Sequence, residues 1–216
     1  MTERPILFSA PMVRALLDGS KTQTRRVIKD LPPWKITEIV PSASGCGRWL
    51  PNGPAPSGRG MASGHWRPCP YGQPGDRLWV RETWADLAVL SDGNYERQAI
   101  YRADDIELYG DEDEPVNVNA PDMRWRPSIH MPRWASRILL EVVAVRVERL
   151  KECSEADALA EGAPGYEEGV DAPPPSDEHE WSYGASYQRV WEDINGAGSW
   201  DANPWVWVVE FKRVAP

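Results

Sequence analysis

Two hydrophobic periods take turns along this chain. Ile6-Leu7-Phe8-Ser9 is a short apolar run with the length of one buried strand. From Pro11 to Asp18 the period changes: Met12, Val13, Leu16 and Leu17 share one face at helical spacing, Pro11 suits a first turn and Gly19 a stop. Arg26-Val27-Ile28 reads as a strand ended before Pro32-Pro33. Arg77 to Trp84 alternates, with Leu78, Val80, Glu82 and Trp84 on one face and Arg77, Trp79, Arg81 and Thr83 on the other. Ala99 to Arg102 is a further strand candidate, and Ile138 to Leu150 is the longest. Ser154 to Gly162 predicts a capped helix, and Tyr187 to Ile194 another with Tyr187, Val190, Trp191 and Ile194 as its buried side. In a last strand, Trp205 to Val214, Trp205, Trp207, Val209 and Phe211 alternate with Val206, Val208, Glu210 and Lys212.

Many strands, few helices and no regular alternation of the two predict a mixed α/β fold that is mainly β, a small β-barrel with short flanking helices. A doubly wound sheet is not expected, because neither serial strand-helix units nor a Gly-rich phosphate loop is present. The 216 residues fit one domain, 1–216, with insertions at about 41–70, 104–122 and 163–185. Between Pro41 and Gly75 glycine and proline recur too often for regular structure, so this stretch is expected to be a long loop over or beside the site.

Composition narrows the partners only partly. The net charge of -9 is uneven: Asp104 to Glu114 and Glu161 to Glu180 carry seven acids each, and setting both aside leaves the rest at +5. A basic face for an anion is therefore compatible with the total, and so are loops that only keep the chain solvated. Three cysteines, no apolar run long enough to span a membrane and no evident signal peptide lead to the expectation of a cytoplasmic protein without a membrane partner.

Candidate chemistry concentrates in Gly19-Ser20-Lys21-Thr22-Gln23-Thr24-Arg25-Arg26, where an amine, hydroxyls, an amide and two guanidinium groups meet at an element boundary. Glu82 is a carboxylate in the register of apolar residues, so it needs a cationic or hydrogen-bonding partner; Lys21 is one candidate and a structural arginine another. Met123 to Arg137 interleaves basic and aromatic groups. Arg124, Trp125, Arg133 and Trp134, with Trp84, suit base stacking and phosphate contact, or equally a structural cluster of Arg packed over Trp. His130 is expected to be a half-buried, non-catalytic histidine. Cys46, His65 and Cys69 lack a CxxC pair and an obvious fourth ligand, so no metal and no cofactor are expected.

Gly19, Lys21, Thr24 and Arg26 match the pattern Gly-x-Lys-x-x-Thr-x-Arg, and Gly75-Asp76-Arg77-Leu78-Trp79-Val80-Arg81-Glu82 follows as a strand that ends in glutamate. With Pro127 to Arg137 and Asn203-Pro204-Trp205-Val206-Trp207, the chain resembles the ASCH family, and in particular its longer phage and prophage members. The resemblance implies a PUA-like β-barrel and two roles. One branch of the family hydrolyses the amide of N4-acetylcytidine through residues that correspond to Lys21, Thr24 and Glu82. Other PUA-like proteins bind RNA or modified nucleotides, and some ASCH proteins are ribonucleases. The expectation is an amidohydrolase of an N4-acylated cytidine, with Arg25, Arg26 and the Arg-Trp groups as substrate contacts and with a nucleoside, nucleotide or RNA as partner. The nucleophile is Thr24, activated by Lys21, or a water activated by Glu82.

Overall fold

The two longest apolar runs pair with each other, Leu139–Arg149 against Trp205–Val214, in an antiparallel ladder from Leu139 opposite Val214 to Arg149 opposite Trp205. The fold is taken from a computed structural model, which describes residues 1–43, 47–91, 94–104, 107–109, 115–117, 124–163 and 182–215. In chain order the first elements are β1 (Glu3–Leu7), α1 (Ala10–Asp18), β2 (Gln23–Val27), β3 (Glu38–Pro41), β4 (Arg48–Pro54), β5 (Met61–Ser63) and β6 (Arg67–Pro68). Then come β7 (Arg77–Arg81), β8 (Trp84–Ser91), β9 (Asn94–Tyr101), β10 (Glu107–Tyr109), β11 (Pro115–Asn117), β12 (Leu139–Arg149), α2 (Glu155–Ala160), α3 (Tyr183–Asn195) and β13 (Trp205–Val214). The chain is mainly β with few helices, as its patterning predicts.

The central sheet has the order β1-β7-β12-β13-β2, with β1 and β7 parallel and the other neighbours antiparallel. Among the described residues it forms an open path rather than a closed barrel, since β1 and β2 are its two edges. One side chain crosses between those edges: Arg26 of β2 donates from Nη2 to the Leu7 carbonyl at 2.6 Å. Period-two alternation explains how β13 is held on both faces. Trp207, Val209 and Phe211 join a core with Phe8, Val13 and Leu16, so α1 closes that face. Val206 and Val208 point the other way, into a second cluster with Ala158 of α2 and Tyr187 and Trp191 of α3. β12 carries an irregularity between Val142 and Ala144, where the ladder slips and Val143 turns to solvent.

Several expectations need correction. The first strand begins and ends earlier than Ile6 to Ser9, at Glu3–Leu7. Between Pro41 and Gly75 the chain is not structureless: β3, β4 and β5 form an antiparallel sheet and β6 also pairs with β4. Glycine there serves close approach rather than disorder. A side chain at Gly53 would sit 2.0 Å from the Lys35 carbonyl, and one at Gly64 2.7 Å from the Pro51 ring. This small sheet leans on the central one through Trp49 and Trp207, whose rings meet edge to face at 5.9 Å. α3 starts earlier than the pattern suggests, at Tyr183, where the Ser182 hydroxyl accepts from the Ala185 N–H at 3.0 Å. Its last apolar residue, Ile194, is exposed instead of buried. Most of the two acidic stretches lies outside the described residues.

Candidate functional site

α1 ends at Gly19, whose φ of 87° lets the chain reverse, and the next residues cross to α2. The Lys21 N–H donates to the Ala15 carbonyl at 2.9 Å and the Thr22 N–H to the Ala160 carbonyl at 2.8 Å, while Lys21 and Glu161 form an isolated antiparallel bridge. That bridge carries the Lys21 side chain inward until only 2 % of the residue is exposed. Its Nζ donates to the Glu161 backbone carbonyl at 2.6 Å and to Glu161 Oε2 at 3.0 Å, and lies 5.5 Å from the centre of the Phe8 ring. Burial drives the Lys21 pKa down; Glu161 opposes this, and Arg26 and Arg25 add to it. The net direction is downward.

Glu161 is the hub. Its Oε1 accepts from Arg25 Nη1 at 3.2 Å, so one carboxylate answers two buried cations. Arg25 is also paired with Glu148 and, at 3.3 Å, with Asp157. Arg146 extends the network to Glu148, Asp157 and Glu210. Burial pushes Asp157 up, but the Ser154 hydroxyl and N–H, the Gln23 amide and Arg25 outweigh it, and its carboxyl is held well below the ordinary range. Gly162 sets the geometry of Glu161. It adopts a φ of +73°, and a Cβ there would stand 2.9 Å from Ala15 Cβ and 3.1 Å from Lys21 Cβ.

Beside this cluster lies a cavity of about 210 Å3 between β2 and α3. Thr24, Arg25 and Glu161 line it together with Tyr71, Tyr187 and Trp191, and Arg26 and Lys29 also border it. Thr24 is buried, and its hydroxyl makes no hydrogen bond to another described residue. Burial raises the Tyr187 phenol well above its usual value, with Glu161 adding to the shift, so Tyr187 stays a neutral donor.

Glu82 belongs to a different cluster, and the expected Lys21–Glu82 pair is not formed. Glu82, only 1 % exposed, accepts from Arg137 Nε at 2.9 Å and Nη2 at 3.0 Å. The same guanidinium holds Asp104 with two contacts of 2.7 Å and lies 3.9 Å from the centre of the Tyr101 ring. Burial raises the Glu82 pKa, Arg137 lowers it and Asp104 raises it, with a net upward direction. The register expected for Leu78, Val80, Glu82 and Trp84 is correct, since all four are buried. Only the partner differs, and it is the structural arginine that stood as the alternative to Lys21.

The Arg-Trp groups also sit apart from the Thr24 cavity. Trp84 is buried with Met131 and Ala135, and Trp134 meets it edge to face at 5.6 Å. Arg126 packs over Trp84 at 5.1 Å and Arg97 over Trp134 at 4.6 Å, which is the structural reading of Arg over Trp. Arg133 pairs with Glu3 at 3.0 Å. Arg124, Trp125, Arg126 and His130 border a separate open recess of about 440 Å3. His130 is exposed rather than half-buried. Cys46 lies outside the described residues, Cys69 is buried with its thiol pushed up to about 11 by burial, and among the described residues no group of three or more His, Cys, Asp or Glu is placed to hold a metal ion.

The aromatic walls of the cavity are therefore Tyr71, Tyr187 and Trp191, not Trp125 and Trp134. Neither Glu161 nor these rings stand out as site residues in the sequence. One signal for Glu161 was there: a carboxylate at the C-terminal end of a helix opposes the helix dipole and needs a nearby cation. Compared with known proteins, the chain matches no family model, no curated protein and no solved structure. No helix among the described residues is long and apolar enough to cross a membrane.

Proposed function

We propose that the Thr24 cavity binds a modified nucleobase and hydrolyses an amide on it, most simply the acyl group of an N4-acylated cytidine. The observation that carries this reading is the cavity itself: a buried hydroxyl among three aromatic rings, next to a Lys-Glu-Arg cluster whose amine is biased toward its neutral form. The cavity has the size of one base, and the rings suit stacking. The resemblance to the ASCH family supports the same chemistry and, with it, a PUA-like barrel whose gap between β1 and β2 is spanned by Arg26.

In this reading Thr24 Oγ1 adds to the acyl carbon as its proton passes through Glu161 to the Lys21 amine. Collapse of the adduct breaks the C–N bond, and the departing base amine takes that proton back. Water then cleaves the threonyl ester, releasing the carboxylic acid and restoring the hydroxyl. Glu161 thereby replaces Glu82 as the carboxylate of the site, and Tyr187 is a donor available to the oxyanion.

The test is incubation of the purified chain with N4-acetylcytidine, followed by chromatography for cytidine. Thr24→Ala is expected to lower turnover by a factor on the order of 10² or more, and Glu161→Gln by a comparable factor. Glu82→Gln is expected to change kcat by less than about threefold, because its effect is on stability. A wild-type chain that leaves the substrate intact overturns the hydrolase reading. A second reading, binding of RNA or a modified nucleotide without turnover, is favoured by one observation: the Lys21 amine is already engaged by both the carbonyl and the carboxylate of Glu161. Salt-sensitive RNA binding in the absence of hydrolysis would select it.

A further inference from the structure

The charges around the Thr24 cavity differ in whether they are already answered. Arg25 is engaged by Glu148, Asp157 and Glu161, and Glu161 by Lys21 and Arg25, so these groups form a mutually paired set of which Arg25 and Glu161 line the cavity. Arg26 and Lys29 do not belong to that set. Among the described residues, no carboxylate pairs with either. Arg26 is half-buried, lies 5.1 Å from the centre of the Phe8 ring and gives one Nη2 donor to the Leu7 carbonyl, while its Nε is buried without a partner. Lys29 is exposed, two residues beyond β2, and borders the same cavity. In a chain of net charge -9, two cations without carboxylate partners that border one aromatic cavity are a local reversal of sign.

Size points the same way. A cavity of about 210 Å3 accommodates a substituted pyrimidine but not its sugar and phosphate as well. Whatever is attached to the base extends beyond the cavity, and Lys29 is an exposed cation on its border.

We infer that the ligand of this cavity carries a phosphate, so that the site takes a nucleotide rather than a free nucleoside, with Lys29 and Arg26 receiving the phosphate outside the cavity. The inference rests on the nucleobase part of the proposed function and not on the hydrolysis. A guanidinium presents planar paired donors to phosphate oxygens, and an exposed ammonium adds a mobile point charge. The phosphate belongs either to a mononucleotide or to an RNA strand with the modified base turned into the cavity.

The experiment is calorimetric titration of the chain with N4-acetylcytidine, its 5′-monophosphate and an RNA trinucleotide carrying the acylated base at its centre. The phosphate forms are expected to bind about tenfold more tightly than the nucleoside at low salt, and the advantage should shrink as salt screens it. Lys29→Ala should reduce that ratio severalfold and Lys29→Glu should abolish it, and circular dichroism verifies that both variants fold. Preference for the trinucleotide over the monophosphate assigns the phosphate to a strand; the opposite preference assigns it to a mononucleotide. Equal affinity for nucleoside and phosphate forms, or a ratio that survives Lys29→Glu, overturns the inference. Tighter phosphate binding that Lys29→Glu abolishes, without release of acetate, supports it while the hydrolase reading falls.

Discussion

A carboxylate as buried as Glu82 must have its charge answered where it stands, and Arg137 does so with two hydrogen bonds. Arg137→Ala is expected to cost about 3–5 kcal/mol because it leaves that charge uncompensated. Combining it with Glu82→Gln should recover a substantial part, which urea denaturation of the single and double variants would measure. The pH dependence has a definite sign. The folded-state pKa of Glu82 lies above its ordinary value near 4.5, so between the two the folded chain holds more protons than the unfolded one. The Glu82 contribution to stability therefore falls as pH rises through that window, and Glu82→Gln should remove this slope from the plot of unfolding free energy against pH. Thr24, Lys21 and Glu82 stood out in the sequence through residue type and alternation. Their partners did not, because a partner is chosen by proximity across elements far apart in the chain.

At the scale of elements, the site depends on how α2 ends. The helix is capped at its start by Ser154, whose hydroxyl accepts from the Asp157 N–H while Asp157 accepts from the Ser154 N–H. It stops at Glu161-Gly162, so the last carboxylate drops onto Lys21 and Arg25. Gly162→Ala is expected to destabilise the fold by about 1–3 kcal/mol through its positive φ, and by more where the new methyl meets Ala15 and Lys21. Gly19→Ala offers the comparison: its φ is also positive, at +87°, but nothing lies within 4 Å of the added methyl. The difference in melting temperature between the two variants isolates the close packing of α1, β2 and α2. Serine cap, helix and glycine stop were all legible in the sequence, because capping is local chemistry. The contact they create with Lys21 was not.

Across the whole molecule, one ionic network joins β2, β12, α2 and β13 through Arg25 and Arg146. Asp157 is its acid-sensitive member. Its folded-state pKa is depressed, so its contribution is fully present above its ordinary value near 3.8 and is lost as pH falls below it. Asp157→Asn is expected to lower the melting temperature at neutral pH and to flatten its decline between about pH 4 and pH 2, measured by scanning calorimetry. A variant whose acid limb parallels the wild type would show that other carboxylates govern acid unfolding.

Alternation and helical spacing alone determined the mainly β class, the last strand at Trp205–Val214, the buried register of Leu78, Val80, Glu82 and Trp84, and the helix begun by Ser154. These follow from interactions within a few residues, where side-chain period and capping decide. Tertiary structure alone decided that Lys21 meets Glu161, that Glu82 meets Arg137, and that Tyr71, Tyr187 and Trp191 line one cavity with Thr24. It also turned a glycine- and proline-rich stretch into β3 to β6, because a strand rich in glycine becomes regular only when neighbouring backbones come close enough to pair with it. Ionic pairing and the cavity walls depend on which distant segments are brought together. No period within one segment encodes that.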